Sequence, residues 1–283
     1  MPPILADPLL SANPPRTLVV AAHPDDETLG AGILISRLPE RWVLHVTDGA
    51  PRDAAFISKM FSGSRAEYAA VRRRELEAAM TLAGLPPERL LVVPEIADQE
   101  ASFSLSRLAR EIAAVVRDIR PEVVLTHAYE GGHPDHDATA FAVHAASELL
   151  RAEGLEPPAR LEMALYHATP CAIPPRLLCH EFLPAVSSSD PVRLALAPEE
   201  QALKQKMLSC FITQGATLAW FHPFRAETFR RAPAYDFTRA PHAGPLQYEI
   251  WGFALTGERW RKVAKSTMAE LALGGVGYDR GSG

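Results

Sequence analysis

The chain has 283 residues, of which 47% are hydrophobic and 22% charged, and its formal net charge is -5. That balance suits a globular protein with a sizeable core. No block of basic residues supports a nucleic-acid footprint, and no apolar run is long enough to span a bilayer, so neither partner is expected.

Residues 1–15 are Pro-rich and are expected to form an irregular arm. The start of the chain lacks a basic segment followed by a long apolar stretch, so it does not read as a signal peptide, and a cytoplasmic location is expected. Thr17 to Ala22 (TLVVAA) predicts a buried strand that ends at His23-Pro24. A helix is expected over Thr28 to Leu38 and a second strand over Trp42 to Thr47, ending at Asp48-Gly49. Residues 65–83 predict a long helix closed by Gly84 and Pro86-Pro87. Then come a strand at Leu90 to Val93, a helix at Ser104 to Ile119, a strand at Val123 to Thr126 and a helix at Asp135 to Leu150. Strands alternating with helices predict an α/β fold, a mostly parallel sheet with helices on both faces.

The rest is less regular. Strands are expected at Leu161 to His167, His180 to Ala185 and Glu249 to Ala254, with helices at Glu199 to Phe211 and Glu258 to Leu273. Residues 221–245 read as loop, and the tail GGVGYDRGSG as mobile. One domain over 1–283 is expected, with a core at 16–155 and a C-terminal portion at 156–275 covering the active edge. Cys171, Cys179 and Cys210 form no C-x-x-C pair and read as free thiols.

Two segments carry chemistry: Ala22-His23-Pro24-Asp25-Asp26-Glu27 and Gly131-Gly132-His133-Pro134-Asp135-His136-Asp137. Each follows a predicted strand, and in parallel sheets ligands bind at the carboxyl ends of the strands. Imidazole and carboxylate suit zinc and other first-row divalent ions, and three protein ligands with one open position typify catalytic sites. Two adjacent aspartates invite a division of labour, one binding metal and the other taking a proton from water. Spacing alone does not separate Asp25 from Asp26. The bland alternative is a pair of solvated turns with Asp at helix N-caps.

The A-H-P-D-D-E turn and the H-P-D-H turn at His133 to His136, about 110 residues apart, resemble the two signatures of the LmbE-like, or PIG-L, deacetylases. These include the N-acetylglucosaminyl-phosphatidylinositol deacetylases and the deacetylases of mycothiol and bacillithiol synthesis. The likeness covers roughly the first 150 residues and is weaker beyond. It implies a Rossmann-like fold and hydrolysis of an N-acetyl group on a glucosamine-type sugar or conjugate. It implies His23, Asp26 and His136 as ligands of zinc, with ferrous iron or another divalent ion as the alternative. Asp25 would be the general base, and His133 the partner of the oxyanion or the acid for the leaving amine. Asp135 would orient a histidine.

Arg72 falls on the apolar stripe of its helix, with Ala69, Leu76, Ala79, Met80 and Ala83, at about 100° per residue. A cation there needs a partner. The resemblance gives Arg72 with Glu75 as an Arg-x-x-Glu element at the substrate pocket, against an ordinary ion pair. It also gives Asp98 as a substrate contact, with a turn-forming Asp as the equal alternative. Asp48-Gly49 favours a turn. Some relatives carry a mobile Tyr two positions before the acid histidine; here Gly131 stands there, and Tyr129 is the candidate substitute. His45, His144, His167 and His180 read as structural. Trp220, Phe221, Phe224, Arg225, Tyr235 and Trp251, with His222 and His242 nearby, read chiefly as core, otherwise as a wall for a sugar or aromatic ligand.

Three other functions compete. One keeps the site but hydrolyses a non-sugar acylated amine. Another is a non-catalytic metal- or sugar-binding module. A dinucleotide oxidoreductase is disfavoured, because H-P-D-D-E stands where G-x-G-x-x-G is expected. A homo-oligomer is left open.

Overall fold

A computed structural model describes residues 9, 13–170, 174–184 and 190–273. The expected tail and Cys171 lie outside the described residues, as does most of the expected arm. Strands β1 (Thr17–Ala21), β2 (Arg41–His45), β3 (Leu90–Val92), β4 (Val123–His127) and β5 (Ala159–Met163) pair in parallel in the order β3-β2-β1-β4-β5. A short hairpin, β6 (Tyr166–Ala168) and β7 (Leu177–Cys179), stands apart. Strands β8 (Val192–Ala195) and β9 (Ala226–Arg231) extend the main sheet antiparallel beyond β5, giving seven strands.

Side chains alternate across β1 and feed two cores. Val19 and Ala21 join the core formed with helices α1 (Asp26–Arg37), α2 (Arg65–Leu82) and, after α3 (Leu105–Ile119) and α4 (Pro134–Ala152), helix α5 (Pro198–Leu208). Leu18 and Val20 join the opposite core, with α3, α4 and the last long helix, Gly257–Glu270. Both faces are therefore covered, which explains why the parallel strands read as continuous apolar runs.

Four expectations at the C-terminal end are corrected. The strand expected over Leu161 to His167 is split between β5 and β6, and the one expected from His180 lies earlier, at β7. Glu249 to Ala254 is not a strand: a short α-helix, Gln247–Ile250, stops at Gly252, whose φ is 78°. The segment read as loop contains β9, whose Glu227 and Arg230 are buried and disguise it as polar.

Those buried charges matter for α1, which is broken at Ala31 (φ -147°, ψ 17°). Lys204 Nζ donates to Leu29 O at 2.8 Å, satisfying a carbonyl released by the break. Glu227 accepts from Ile33 N at 2.8 Å and Leu34 N at 2.9 Å, capping the second half of the helix. The two side chains pair at 2.7 Å and are fully buried. Each thereby meets the requirement that a buried charge be both paired and hydrogen-bonded.

Candidate metal centre

The sheet order reverses between β1 and β4, since β1 leads to β2 on one side and β3 crosses to β4 on the other. Such a switch point splays the loops after both strands and opens a crevice at their carboxyl ends. His23 to Asp26 follow β1 and His133 to His136 follow β4, so the two turns face each other there. Ring centroids of His23 lie 4.6 Å from His133 and 5.5 Å from His136.

Asp26 links the two histidines expected as ligands: Oδ2 lies 3.0 Å from His23 Nδ1 and Oδ1 lies 3.1 Å from His136 Nε2. His23 Nε2 faces Asp98 Oδ1 and Asp135 Oδ2, each at 3.1 Å. Three overlapping sets have ligand atoms within 4.8 Å of one another: His23–His133–His136, Asp26–His127–His136 and His23–Asp98–Asp135. These sets overlap the expected trio rather than coincide with it, and they add His127. His136 Nε2 is buried without a hydrogen bond of good geometry, although Asp26 is near. Imidazole nitrogens and carboxylate oxygens concentrated around an unsatisfied buried nitrogen fit a divalent ion.

Electrostatics follow from burial and from this crowding. Burial disfavours the His23 imidazolium, but Asp98, Asp135 and Asp26 reverse that and hold its pKa well above the ordinary value. Burial likewise opposes ionisation of Asp98, yet His23 brings it down to about 2. Asp26 is held well below the usual carboxylate range by His136 and His23, against its own burial. Burial pushes Asp25 up to about 7, with the Arg72 guanidinium opposing. His133 is pushed well down by burial and by the neighbouring His23 and His136.

Each side chain has a local reason for its place. Asp25 has φ 125°, a region that non-glycine residues rarely occupy. Its N–H donates to Glu27 Oε2 at 3.0 Å, while the same carboxylate accepts from His45 Nε2 at 2.8 Å and Thr28 Oγ1 at 2.5 Å. Arg72 is buried, lies 3.1 Å from Asp25 Oδ2, and also donates to the Pro24 carbonyl and to Gly49 O. Gly49 is in the left-handed region, and a Cβ there would lie 2.7 Å from Pro24 Cδ, so the Asp48-Gly49 turn packs directly on the first motif. Asp135 accepts from Gln99 N at 2.6 Å and Ala101 N at 3.1 Å, tying the segment after β3 to the second motif. His133 Nδ1 accepts from Asp135 N at 3.1 Å, which leaves Nε2 to carry the proton of the neutral ring.

All eight residues singled out in the sequence converge here. Glu27, His45, His127 and Tyr166 were missed as parts of the site. His127 stacks on His136 with centroids 4.1 Å apart and accepts from Ala22 N at 2.8 Å. A buried Glu beside two motif aspartates, and a His in an otherwise apolar strand, were the available signals. Tyr129 does not substitute for the mobile tyrosine. Its hydroxyl donates to Arg239 O at 2.8 Å and its ring packs on Trp260 in the core. Tyr166 lines the cavity instead, with its ring 5.1 Å from His136. Of the C-terminal aromatics, Trp220, Phe221 and Trp251 line the cavity, whereas Phe224 belongs to one core and Tyr235 packs against the opposite one.

Fold and site together define an α/β protein with a buried His/Asp cluster suited to a divalent metal at its switch point. Residues 18–147 match the PIG-L family, described as GlcNAc-PI de-N-acetylase. It is 32% identical over 174 residues to the 1D-myo-inositol 2-acetamido-2-deoxy-alpha-D-glucopyranoside deacetylase of Rhodococcus erythropolis, covering 52% of this chain and 59% of that one. Against the enzyme of the same name from Thermobifida fusca it is 30% identical, covering 44% of this chain and 51% of that one. The chain thus spans little more than half the length of the curated relatives it matches.

Two solved structures are similar in fold. The A40926 pseudoaglycone deacetylase Dbv21 has a TM-score of 0.56 at 21% identity, covering 76% of this chain and 96% of its own. The N,N'-diacetylchitobiose deacetylase of Pyrococcus horikoshii has a TM-score of 0.54 at 20% identity, covering 81% and 87%. No helix among the described residues is long and apolar enough to cross a membrane.

Proposed function

We propose that this protein is a divalent-metal hydrolase, with zinc the preferred ion, that removes the N-acetyl group from an N-acetylglucosamine-type sugar or conjugate. The observation that carries the reading is the convergence of Asp25, Asp26, His23 and His133 on one cavity at the switch point, with His136 behind Asp26 at 3.1 Å. The names of the relatives, deacetylases of acetamido sugars, supply the reaction class. His23, Asp26 and His136 would hold the ion. When bound, it would polarise the acetyl carbonyl and lower the pKa of a water.

The chain's own groups divide the remaining work. Asp25 lines the cavity and takes the proton from the attacking water; Arg72 holds its carboxylate in one orientation. The Asp25 carboxylate has little rotational freedom, which favours a reactive geometry. His133 presents its Nε2–H to the oxygen that gains charge, and Asp25 passes the proton it took from water to the departing amine nitrogen. Asp135 keeps His23 turned toward Asp26, and Asp98 faces the incoming sugar.

Acetate release from N-acetylglucosamine conjugates, with metal content measured in parallel, tests this reading. Asp25→Ala should abolish release while leaving metal stoichiometry unchanged. Full activity in that variant would remove the assignment of the base.

A further inference from the structure

Beyond the His/Asp cluster the cavity widens to about 350 Å³, and its outer wall is aromatic. Phe56 and Phe253 stack with centroids 5.1 Å apart and planes 9° apart. Phe253 lies 6.4 Å from Trp251, which lies 6.1 Å from Trp220, so the four rings make one continuous arc. It meets the cluster at Phe253, 5.0 Å from His133. Its two ends are open to water: Trp220 is 61% exposed and Phe56 40%. Large aromatic faces left open to water beside a reaction centre mark a place where a ligand covers them.

Charge narrows the ligand further. Among the described residues lining this cavity, Arg72 is the one permanent cation; its Nε and Nη2 serve Gly49 O, Pro24 O and Asp25, and its Nη1 faces Glu75 at 3.6 Å. The lining groups away from the cluster are uncharged: Gln99, Gln214 and Thr217. The inner end carries Asp25, Asp26 and Asp98. A phosphate or carboxylate lying on the aromatic arc, away from the ion, would lose its hydration with no cation among the described lining residues beside it to compensate.

We infer that the substrate carries an uncharged, flat, apolar aglycone that lies on the Phe56–Phe253–Trp251–Trp220 arc while its acetamide reaches His133 and Asp25. This rests on the deacetylase reading above. A ring stacks on such faces with little loss of freedom, whereas a flexible acyl chain loses rotamers to make the same contact. The apolar part is therefore placed on the aglycone and the acyl group remains an acetyl.

The test uses the full chain loaded with zinc. Carboxylate release is compared for phenyl 2-acetamido-2-deoxy-β-D-glucopyranoside, free N-acetylglucosamine, N-acetylglucosamine 1-phosphate and N-hexanoylglucosamine. We expect kcat/KM for the phenyl glycoside to exceed that for the free sugar by about tenfold, the scale of one good stacking contact. The 1-phosphate should be the poorest substrate, and Trp251→Ala should collapse the phenyl preference. Calorimetry with phenyl β-D-glucopyranoside, which has no acetamide, reads aglycone binding without turnover. Binding of that glycoside with no release from any substrate would sink the deacetylase reading alone. Release without a phenyl preference, or best from the 1-phosphate or the hexanoyl sugar, would overturn the aglycone inference alone.

Discussion

Glu27 Oε2 accepts the backbone N–H of Asp25 at 3.0 Å, so the third acid of the first motif fixes the posture of the first. The bond closes backwards over two residues and holds Asp25 at φ 125°. Glu27 is buried and also takes hydrogen bonds from His45 and Thr28. It therefore positions Asp25 without touching the cavity.

Glu27→Ala is expected to leave the Asp25 N–H and the His45 ring unsatisfied and to cost about 3 kcal/mol of stability. It should also lower kcat by about 100-fold with little change in KM, because a misplaced base harms the reaction more than binding. Urea unfolding and steady-state kinetics on one preparation check both effects. A destabilised variant with unchanged kcat would show that the bond supports only the fold.

The Lys204–Glu227 pair should behave as a coupled unit. Lys204→Met strands a buried carboxylate and is expected to cost about 3–5 kcal/mol. Adding Glu227→Gln removes that charge and keeps one acceptor oxygen, so one of the Ile33 and Leu34 N–H groups, which use separate oxygens of Glu227, loses its bond. The double variant should then be more stable than Lys204→Met alone, a reversal that a double-mutant cycle would detect. Simple additivity would mean the two residues do not share the break in α1.

A second buried cluster gives a pH dependence. Arg230 bonds Glu162 at 2.8 Å, Glu130 at 3.1 Å and the Tyr235 hydroxyl at 3.0 Å. Two carboxylates share one guanidinium, and burial pushes both up to about 7, with Arg230 opposing. The folded state thus holds a proton that the unfolded chain, at an ordinary carboxylate pKa of about 4.3, has released. Stability from this site is complete below about pH 4 and is lost as pH rises through about 7, by roughly 3 kcal/mol for one retained proton. In Glu162→Gln the remaining carboxylate ionises against Arg230 one to one. Urea unfolding at pH 5 and pH 8 should show the parent losing more stability than the variant across that range.

Metal removal should register in both activity and stability. Dialysis against a chelator is expected to abolish acetate release and to lower the melting midpoint, since an ion binding only the folded state at 100 times its Kd adds about 2.7 kcal/mol. Zinc added back should restore both. An unchanged midpoint, measured by calorimetry with metal content in hand, would argue that the cluster holds no ion.

Much of this architecture was legible because its signals are local. β1, β2 and β4 are apolar runs, and α2 carries its own start signal, Ser64 with Glu67 in a capping box. The two His/Asp turns sit at strand ends, so the parallel-sheet rule alone brought His23 near His136. Elements fixed at long range were not legible. β9 reads as polar because Glu227 and Arg230 serve partners that sequence does not reveal. The break at Ala31 is stabilised by residues nearly 200 positions away. The run from Glu249 to Ala254 is apolar for a different reason than strand pairing: Trp251 and Phe253 face a cavity. Tyr166, and not the expected Tyr129, reaches the cavity, because a ring's reach depends on which segment it leaves.

The break in α1 also separates two things that usually coincide, the extent of sequence similarity and the extent of a folding unit. The family likeness ends at residue 147, yet the helix that begins with Asp26 is joined at its middle by Lys204 and Glu227. The second motif is pinned in the same way, with Trp260 Nε1 donating to Pro134 O at 3.1 Å. An excised 18–147 fragment would carry every proposed ligand and would lack the joints that hold them in register. The C-terminal portion is therefore tied into both motifs at buried joints, Lys204, Glu227 and Trp260 among them.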